Sequence, residues 1–414
     1  MIYQTFTLDN GLRVVHNCEP TRAMVAINLL YNVGSRDESR GLTGIAHLFE
    51  HLMFGGSANV PDYSKAIEAA GGNDNAWTSN DFTNFYTQVP AHNVETAFWA
   101  ESDRMLALSF DPHVLRVQRR VVTEEFKQQC LNQPYGDLMH GLRRAAYAAD
   151  HPYSWPVIGI DPDHIARVTE DDVRRWFYSH YAPNNAVLAV CGNISAERTL
   201  ELAEKWFAPI PAREIAPRLL PDPGFPTSDV RVEMSGNVPS TMIVKAIPMA
   251  PHGTPDYYVA DTITDLLANG QSSRYVRRLI HGPEPIFAGA EASIIGSEHE
   301  GLMLLMAQMA DESPQAIEKA EQMLLDEARR MALPGEVSEY ELQRSFNRFE
   351  FTFESSMTNY LDRAQQLAAS VMHGSDINSR VDLQRRTTLD DVCRVADRMF
   401  NHTANVTLLY RPEK

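Results

Sequence analysis

The sequence predicts an α+β fold of two related modules, each an antiparallel-rich sheet packed by helices, joined by a proline-rich linker. Three observations carry this expectation. Strand-like alternation and helix-like periodicity follow one another in blocks through residues 1–208. Pro209, Pro211, Pro217, Pro221, Pro223 and Pro226 crowd one short stretch, a composition suited to a linker. Beyond it the order strand, loop, apolar helix, glycine stop repeats the order of residues 24–56. The expected boundaries are 1–208 for a first module, 209–229 for the linker and 230–414 for a second module.

The elements follow in order. Tyr3–Leu8, Leu12–His16 and Met24–Tyr31 alternate as strands, with a turn at Asn10-Gly11. Residues 32–40 form a polar loop, and Tyr63–Ala70 is helical up to Gly71-Gly72. The Thr- and aromatic-rich run from Asn75 to Val89 predicts a strand, and two helices are expected over 92–108 and 112–131. Thr169 opens a helix with acidic residues in its first turn, Ala186–Gly192 is a buried strand, and Ser195 caps a helix to Trp206. In the second half, Val230–Met234 and Thr241–Ile247 predict strands, and 255–268 a helix ending near Asn269-Gly270. Laying His51-Leu-Met-Phe-Gly on Leu266-Leu-Ala-Asn-Gly keeps the apolar face and removes every metal-binding side chain.

The chemistry concentrates in Leu42-Thr-Gly-Ile-Ala-His47-Leu-Phe-Glu50-His51-Leu-Met-Phe-Gly-Gly56. This stretch predicts a short helix, with Thr43 as N-cap and Gly55-Gly56 as its stop. At about 100° per residue, Ile45, Leu48, Phe49, Leu52 and Met53 form one apolar face. His47, Glu50, His51 and Phe54 gather on the other. Histidines at i and i+4 lie close enough to chelate one metal ion, and Glu50 lies near enough to reach a water beside it. The order H-x-x-E-H inverts that of the H-E-x-x-H zinc peptidases.

A second carboxylate stands out on the helix expected over 112–131. Val114, Gln118, Val121 and Glu125 fall on one line, which predicts an inward stripe, whereas Glu124 points about 100° away. A carboxylate buried without compensation costs several kcal/mol. A metal held by the histidines would compensate it, and so would Arg119 or Arg120.

Composition narrows the partners. At 414 residues, with 44% hydrophobic and 22% charged, the chain is long enough for two or more soluble domains. A net charge of −17 argues against nucleic acid or an anionic membrane as the main partner. Cys18, Cys130, Cys191 and Cys393 are scattered, with no C-x-x-C pair, which predicts free thiols in a reducing compartment. The N-terminal segment lacks a signal-peptide pattern and no apolar run is long enough for a span. The expected location is therefore cytoplasmic, or periplasmic if a signal peptide has been trimmed.

Taken together, these motifs resemble the pitrilysin-type zinc peptidases, most closely their short two-module form, which includes the mitochondrial processing peptidase and bacterial relatives. Asn32-Val-Gly-Ser-Arg-Asp-Glu38 is similar to the family's lead-in, and His47-Leu-Phe-Glu-His51 to its inverted zinc motif. Gly72-Asn-Asp-Asn-Ala-Trp-Thr-Ser79 resembles its substrate-binding edge strand, and Gln118-Arg-Arg-Val-Val-Thr-Glu-Glu125 the helix of its third ligand. Asn132-Gln-Pro-Tyr-Gly136 and His151-Pro-Tyr153 are further matches.

The resemblance implies a zinc metalloendopeptidase with Zn²⁺ on His47, His51 and Glu125 and with Glu50 as general base. It also implies that Asn75, Ala76 and Trp77 pair with the substrate backbone. Four modules enclosing a chamber for unfolded peptides are implied, so this chain would work as a dimer. Two departures matter. Gln118 stands where the family often has glutamate. Where active members carry an arginine and, seven residues later, a tyrosine, alignment gives Ile280 and Phe287, with Tyr275, Arg277 or Arg278 as nearby substitutes. Absence of that pair would call for a heterodimer with a metal-free related subunit. Relatives that kept the fold and lost the chemistry make a non-catalytic structural or peptide-binding subunit the rival expectation.

Overall fold

The computed structural model describes residues 1–218, 220–283, 286–296 and 298–413. Leu219 of the expected linker, and Glu284 and Pro285 beside Phe287, lie outside them. The chain divides into two units, neither continuous in sequence. One comprises Met1–Lys127, Pro156–Leu220 and Phe353–Ser379, the other Gln128–Trp155, Pro221–Thr352 and Arg380–Lys414.

The first unit holds six strands: β1 (Gln4–Thr7), β2 (Arg13–Cys18), β3 (Met24–Tyr31), β4 (Asn73–Thr78), β5 (Thr83–Pro90) and β6 (Ala186–Gly192). Their order across the sheet is β1-β2-β6-β3-β5-β4, antiparallel except where β2 runs parallel to β6. Alternation along β3 explains its unbroken apolar sequence. Val25, Ile27, Leu29 and Tyr31 enter a core with Phe49, Phe98, Leu115, Val122 and Phe177 from helices on one face. Ala26 and Leu30 meet Ala364, Leu367 and Ala368 of the helix Tyr360–Met372 on the other. A sheet covered on both faces needs apolar side chains in both phases. Strand β4 closes the sheet at its edge and, among the described residues, pairs only with β5.

The second unit holds β7 (Val230–Gly236), β8 (Met242–Met249), β9 (Phe287–Ile295), β10 (Gly301–Met309) and β11 (Val406–Pro412), ordered β7-β11-β8-β10-β9. Only β7 and β11 are parallel. With β1 set aside, the two sheets have the same order and the same strand directions, so the modules are related in topology as well as in the faint sequence echo. The helix Pro255–Ala268 follows β8 as the helix Ile45–Leu52 follows β3, and gives Val259, Ile263, Leu266 and Leu267 to the core.

Each unit takes one helix from the other half of the sequence. Leu138–Ala146 packs on β7 and β11 of the second unit, where a Cβ on Gly141 would stand 2.3 Å from Met234 Sδ. Tyr360–Met372 packs on β3 and β6 of the first. The units therefore cross the expected halves 1–208 and 230–414. A helix's apolar face shows in sequence; which sheet it covers does not.

Two local expectations are corrected, and the helix expected over 112–131 is present with a change in its last turn. Asn75–Val89 is not one strand but the hairpin β4–β5, turned at Ser79 to Phe82, where Ser79 Oγ accepts from the Phe82 N–H (2.9 Å). A Ser-Asn-Asp sequence favours such a turn over extended backbone. The helix from Pro112 is regular to Phe126 and ends in one wider turn, Lys127–Leu131. Val121 is 45% exposed, so the inward stripe consists of Leu115, Val122 and Phe126, with Glu125 at its margin. Among the described residues, no helix is long and apolar enough to cross a membrane. Cys18, Cys130, Cys191 and Cys393 are free thiols.

Candidate metal centre

The helix Ile45–Leu52 buries Ile45, Ala46, Leu48, Phe49 and Leu52 against the first sheet and leaves His47, Glu50 and His51 half-buried on its other side. The two imidazoles meet edge to face, with centroids 4.9 Å apart. Glu125 reaches them from the helix Pro112–Phe126. Its Oε2 lies 3.8 Å from His47 Nε2 and 3.5 Å from His51 Nε2. These distances are too long for hydrogen bonds. Glu124 points away and pairs with Lys127 (2.6 Å). Arg119, an alternative partner for Glu125, donates instead to the carbonyls of Ala166 (3.1 Å) and Val168 (2.9 Å).

The donor set fits zinc. Zinc bonds of about 2.0–2.2 Å in tetrahedral geometry set ligand atoms roughly 3.3–3.6 Å apart, within a few tenths of an ångström of the two glutamate–histidine distances. Candidate donor atoms of His47, His51 and Glu125 lie within 4.8 Å of one another. Burial, reinforced by His51, lowers the His47 pKa to about 4, so its ring is a neutral imidazole at neutral pH. Only that form binds a metal.

Glu50 is held apart from this triad. Its Oε2 accepts a hydrogen bond from Thr78 Oγ1 at 2.5 Å. Burial raises its pKa above the usual carboxylate value; the Thr78 bond opposes this, and the nearby Glu125 charge adds to it. A carboxylate with a raised pKa is the better proton acceptor and donor near neutrality.

Thr78 ends β4, the strand carrying Asn75, Ala76 and Trp77. Asp74, Ala76 and Thr78 face the same side as the metal helix, with Asp74 held by Ser64 (2.9 Å) and Ala76 packed on the core. Asn75 and Trp77 face the opposite side, where the indole N–H of Trp77 donates to Gln365 Oε1 (2.9 Å). The Ala76 N–H bonds to Asn75 Oδ1 (2.8 Å), so a neighbouring side chain occupies that amide at the sheet edge. In sequence, Thr78 is marked only by its place in phase with Asp74 and Ala76.

In the second unit, the residues weighed as substitutes for an arginine–tyrosine pair are engaged. Tyr275 is buried and donates to Leu324 O (2.9 Å). Arg277 pairs with Glu341 (3.2 Å) and Arg278 with Glu327 (2.8 Å).

Comparison with known proteins agrees along the chain. The family model described as Insulinase (Peptidase family M16) matches residues 13–159, and the one described as Peptidase M16 inactive domain matches residues 167–349. The chain belongs to the M16 peptidase family. Zinc protease PqqE of Helicobacter pylori is 27% identical over 99% of this chain and 93% of its own length. The uncharacterized zinc protease YmxG of Bacillus subtilis is 30% identical over 50% of this chain and 50% of that protein. The crystal structure of a protease from Helicobacter pylori superposes with a TM-score of 0.87 at 26% identity, covering 99% of this chain and 100% of that one. The fold is thus that of two-module M16 peptidases, and the cluster His47, His51 and Glu125 can hold a metal ion.

Proposed function

We propose that this chain is a zinc-dependent metalloendopeptidase that hydrolyses peptide bonds of unfolded peptides inside a chamber completed by a dimer. One observation carries the reading: two histidines and a glutamate converge at ligand spacing beside Glu50, which is bonded to the end of an open-edged strand. Zinc bound by His47, His51 and Glu125 would supply Lewis acidity toward the scissile carbonyl and activate a water nucleophile. Glu50 takes the proton of that water and passes it to the leaving amine. Asn75, Ala76 and Trp77 hold the peptide as an added strand on β4, which places its backbone alongside Thr78 and Glu50. An extended peptide fits this edge as an added strand.

The engaged state of Tyr275, Arg277 and Arg278 favours a partner chain that supplies the missing donors, a metal-free relative in a heterodimer. The rival reading, a non-catalytic structural or peptide-binding subunit, draws on the match of residues 167–349 to a domain described as inactive. A cytoplasmic setting suits the four free thiols.

The test is metal analysis of the purified protein with cleavage of unstructured peptides, alone and with candidate partner chains. One zinc per chain and chelator-sensitive cleavage are expected. Peptide binding without zinc or cleavage would establish the rival. Docking on β4, in which a peptide carbonyl takes the Ala76 N–H from Asn75 Oδ1, is checked separately by Ala76→Pro, which removes that N–H and blocks strand addition while remaining compatible with an edge strand. The loss of a hydrogen bond and the added steric block are expected to raise KM roughly tenfold, with zinc content unchanged. An unchanged KM would remove β4 from the proposal.

A further inference from the structure

The helix that carries His47 and His51 starts without a capping side chain of its own. Its N-cap is Gly44, with φ of 86°. A Cβ there would lie 2.8 Å from Ile165 Cδ1 and 2.9 Å from Ile158 O, so no larger residue fits. Thr43, expected from sequence to cap the helix, is turned aside. Its hydroxyl bonds to His164 Nδ1 (2.9 Å) and accepts from the Ile160 N–H (3.0 Å). The first amides of a helix have no intrahelical acceptor. Here the Ala46 N–H, one residue before His47, donates to Glu38 Oε1 at 2.9 Å, and Glu38 is only 6% exposed. A carboxylate at that end satisfies the amide and complements the helix dipole.

The loop bearing Glu38 is itself fixed. Arg36 is buried and reaches Asp81 (2.8 Å) and Asn32 (2.7 Å). Asn80 donates to Ser35 Oγ (2.9 Å), and Arg218 pairs with Asp37 (2.6 Å). Asn80 and Asp81 belong to the β4–β5 turn. A continuous series of contacts therefore leads from that turn, through residues 32–38, to the first turn of the metal helix.

We infer that Glu38 is a positioning residue for the metal centre, a conclusion that rests on the zinc reading above. Its carboxylate holds the first turn of the helix. His47 is the third residue of that helix and lies within this turn, whereas His51 lies in the second. Without the cap the first turn frays, and His47 Nε2 loses its place beside His51 and Glu125 before the rest of the helix is disturbed.

The experiment compares wild type, Glu38→Ala and Glu38→Gln by two measurements. One is zinc affinity by competition with a chromogenic chelator; the other is amide exchange of the segment 41–54 in metal-free protein. Glu38→Ala is expected to exchange faster there and to bind zinc about 10–100-fold more weakly, as for other residues that orient metal ligands. Glu38→Gln keeps an acceptor oxygen and is expected within about threefold of wild type. Ser195→Ala removes the cap of a different helix, where Ser195 Oγ accepts from the Arg198 N–H (3.2 Å), and controls for general destabilisation. If Glu38→Ala fails to fold, Glu38→Asp, shorter by one methylene, takes its place. Wild-type zinc affinity in Glu38→Ala, or an equal loss in Ser195→Ala, overturns the inference. If wild type binds no zinc, the zinc reading falls. Unchanged exchange of the segment 41–54 overturns the Glu38 contact in either case.

Discussion

Glu50→Gln is expected to leave a folded protein that still carries zinc and cleaves unstructured peptides about 10²–10⁴-fold more slowly. Glutamine has the same shape and can keep the hydrogen bond from Thr78, which now joins Glu50 Oε2 at 2.5 Å. It cannot accept a proton. The zinc ligands proposed here are other side chains, so metal content should not change. Burial raises the Glu50 pKa, which suits a group that first accepts and then releases a proton. The measurement is kcat on an unstructured peptide, with zinc content determined on the same preparation. Near-wild-type turnover would remove Glu50 from the chemistry, and loss of zinc would make it a ligand.

Glu125→Gln is expected to weaken zinc binding at least about a hundredfold, more than the loss of a residue that merely orients a ligand. Glu124→Gln is expected to change nothing. The two glutamates are adjacent in sequence, but only Glu125 lies within 3.8 Å of both imidazoles, while Glu124 is occupied with Lys127 at the surface. Competition with a metallochromic chelator measures both variants under one set of conditions. Equal affinities would end the assignment of Glu125 as third ligand.

Much of this was legible in sequence where local physics decides the outcome. The histidines share one side of a short helix because four residues are about one turn. The Ser195 cap and the helix 255–268 followed from cap chemistry and periodicity, and both are present as expected. Elsewhere tertiary neighbours override the local pattern. Thr43 is a good cap by type, but His164 and Ile160 claim its hydroxyl, and Glu38 takes over from seven residues upstream of the helix. The stripe through Val121 had the right period and the wrong centre, because Leu115 and Val122 face the core. Glu125 separates from Glu124 on either phase, and so that distinction survived the error.

The exchanged helix has a consequence for how the protein is made. One face of the first sheet, with Val15, Ala26, Leu30, Val187, Ala189 and Cys191, is covered by Tyr360, Ala364, Leu367 and Ala368. During synthesis that face emerges early, while its cover emerges more than 160 residues after β6 ends at Gly192. At about 5–20 residues per second this leaves an apolar surface open for roughly 8–30 seconds, too long to be left unguarded in a crowded cell. The first unit therefore cannot complete its fold until residues 353–379 are made, after most of the second unit has already been synthesised.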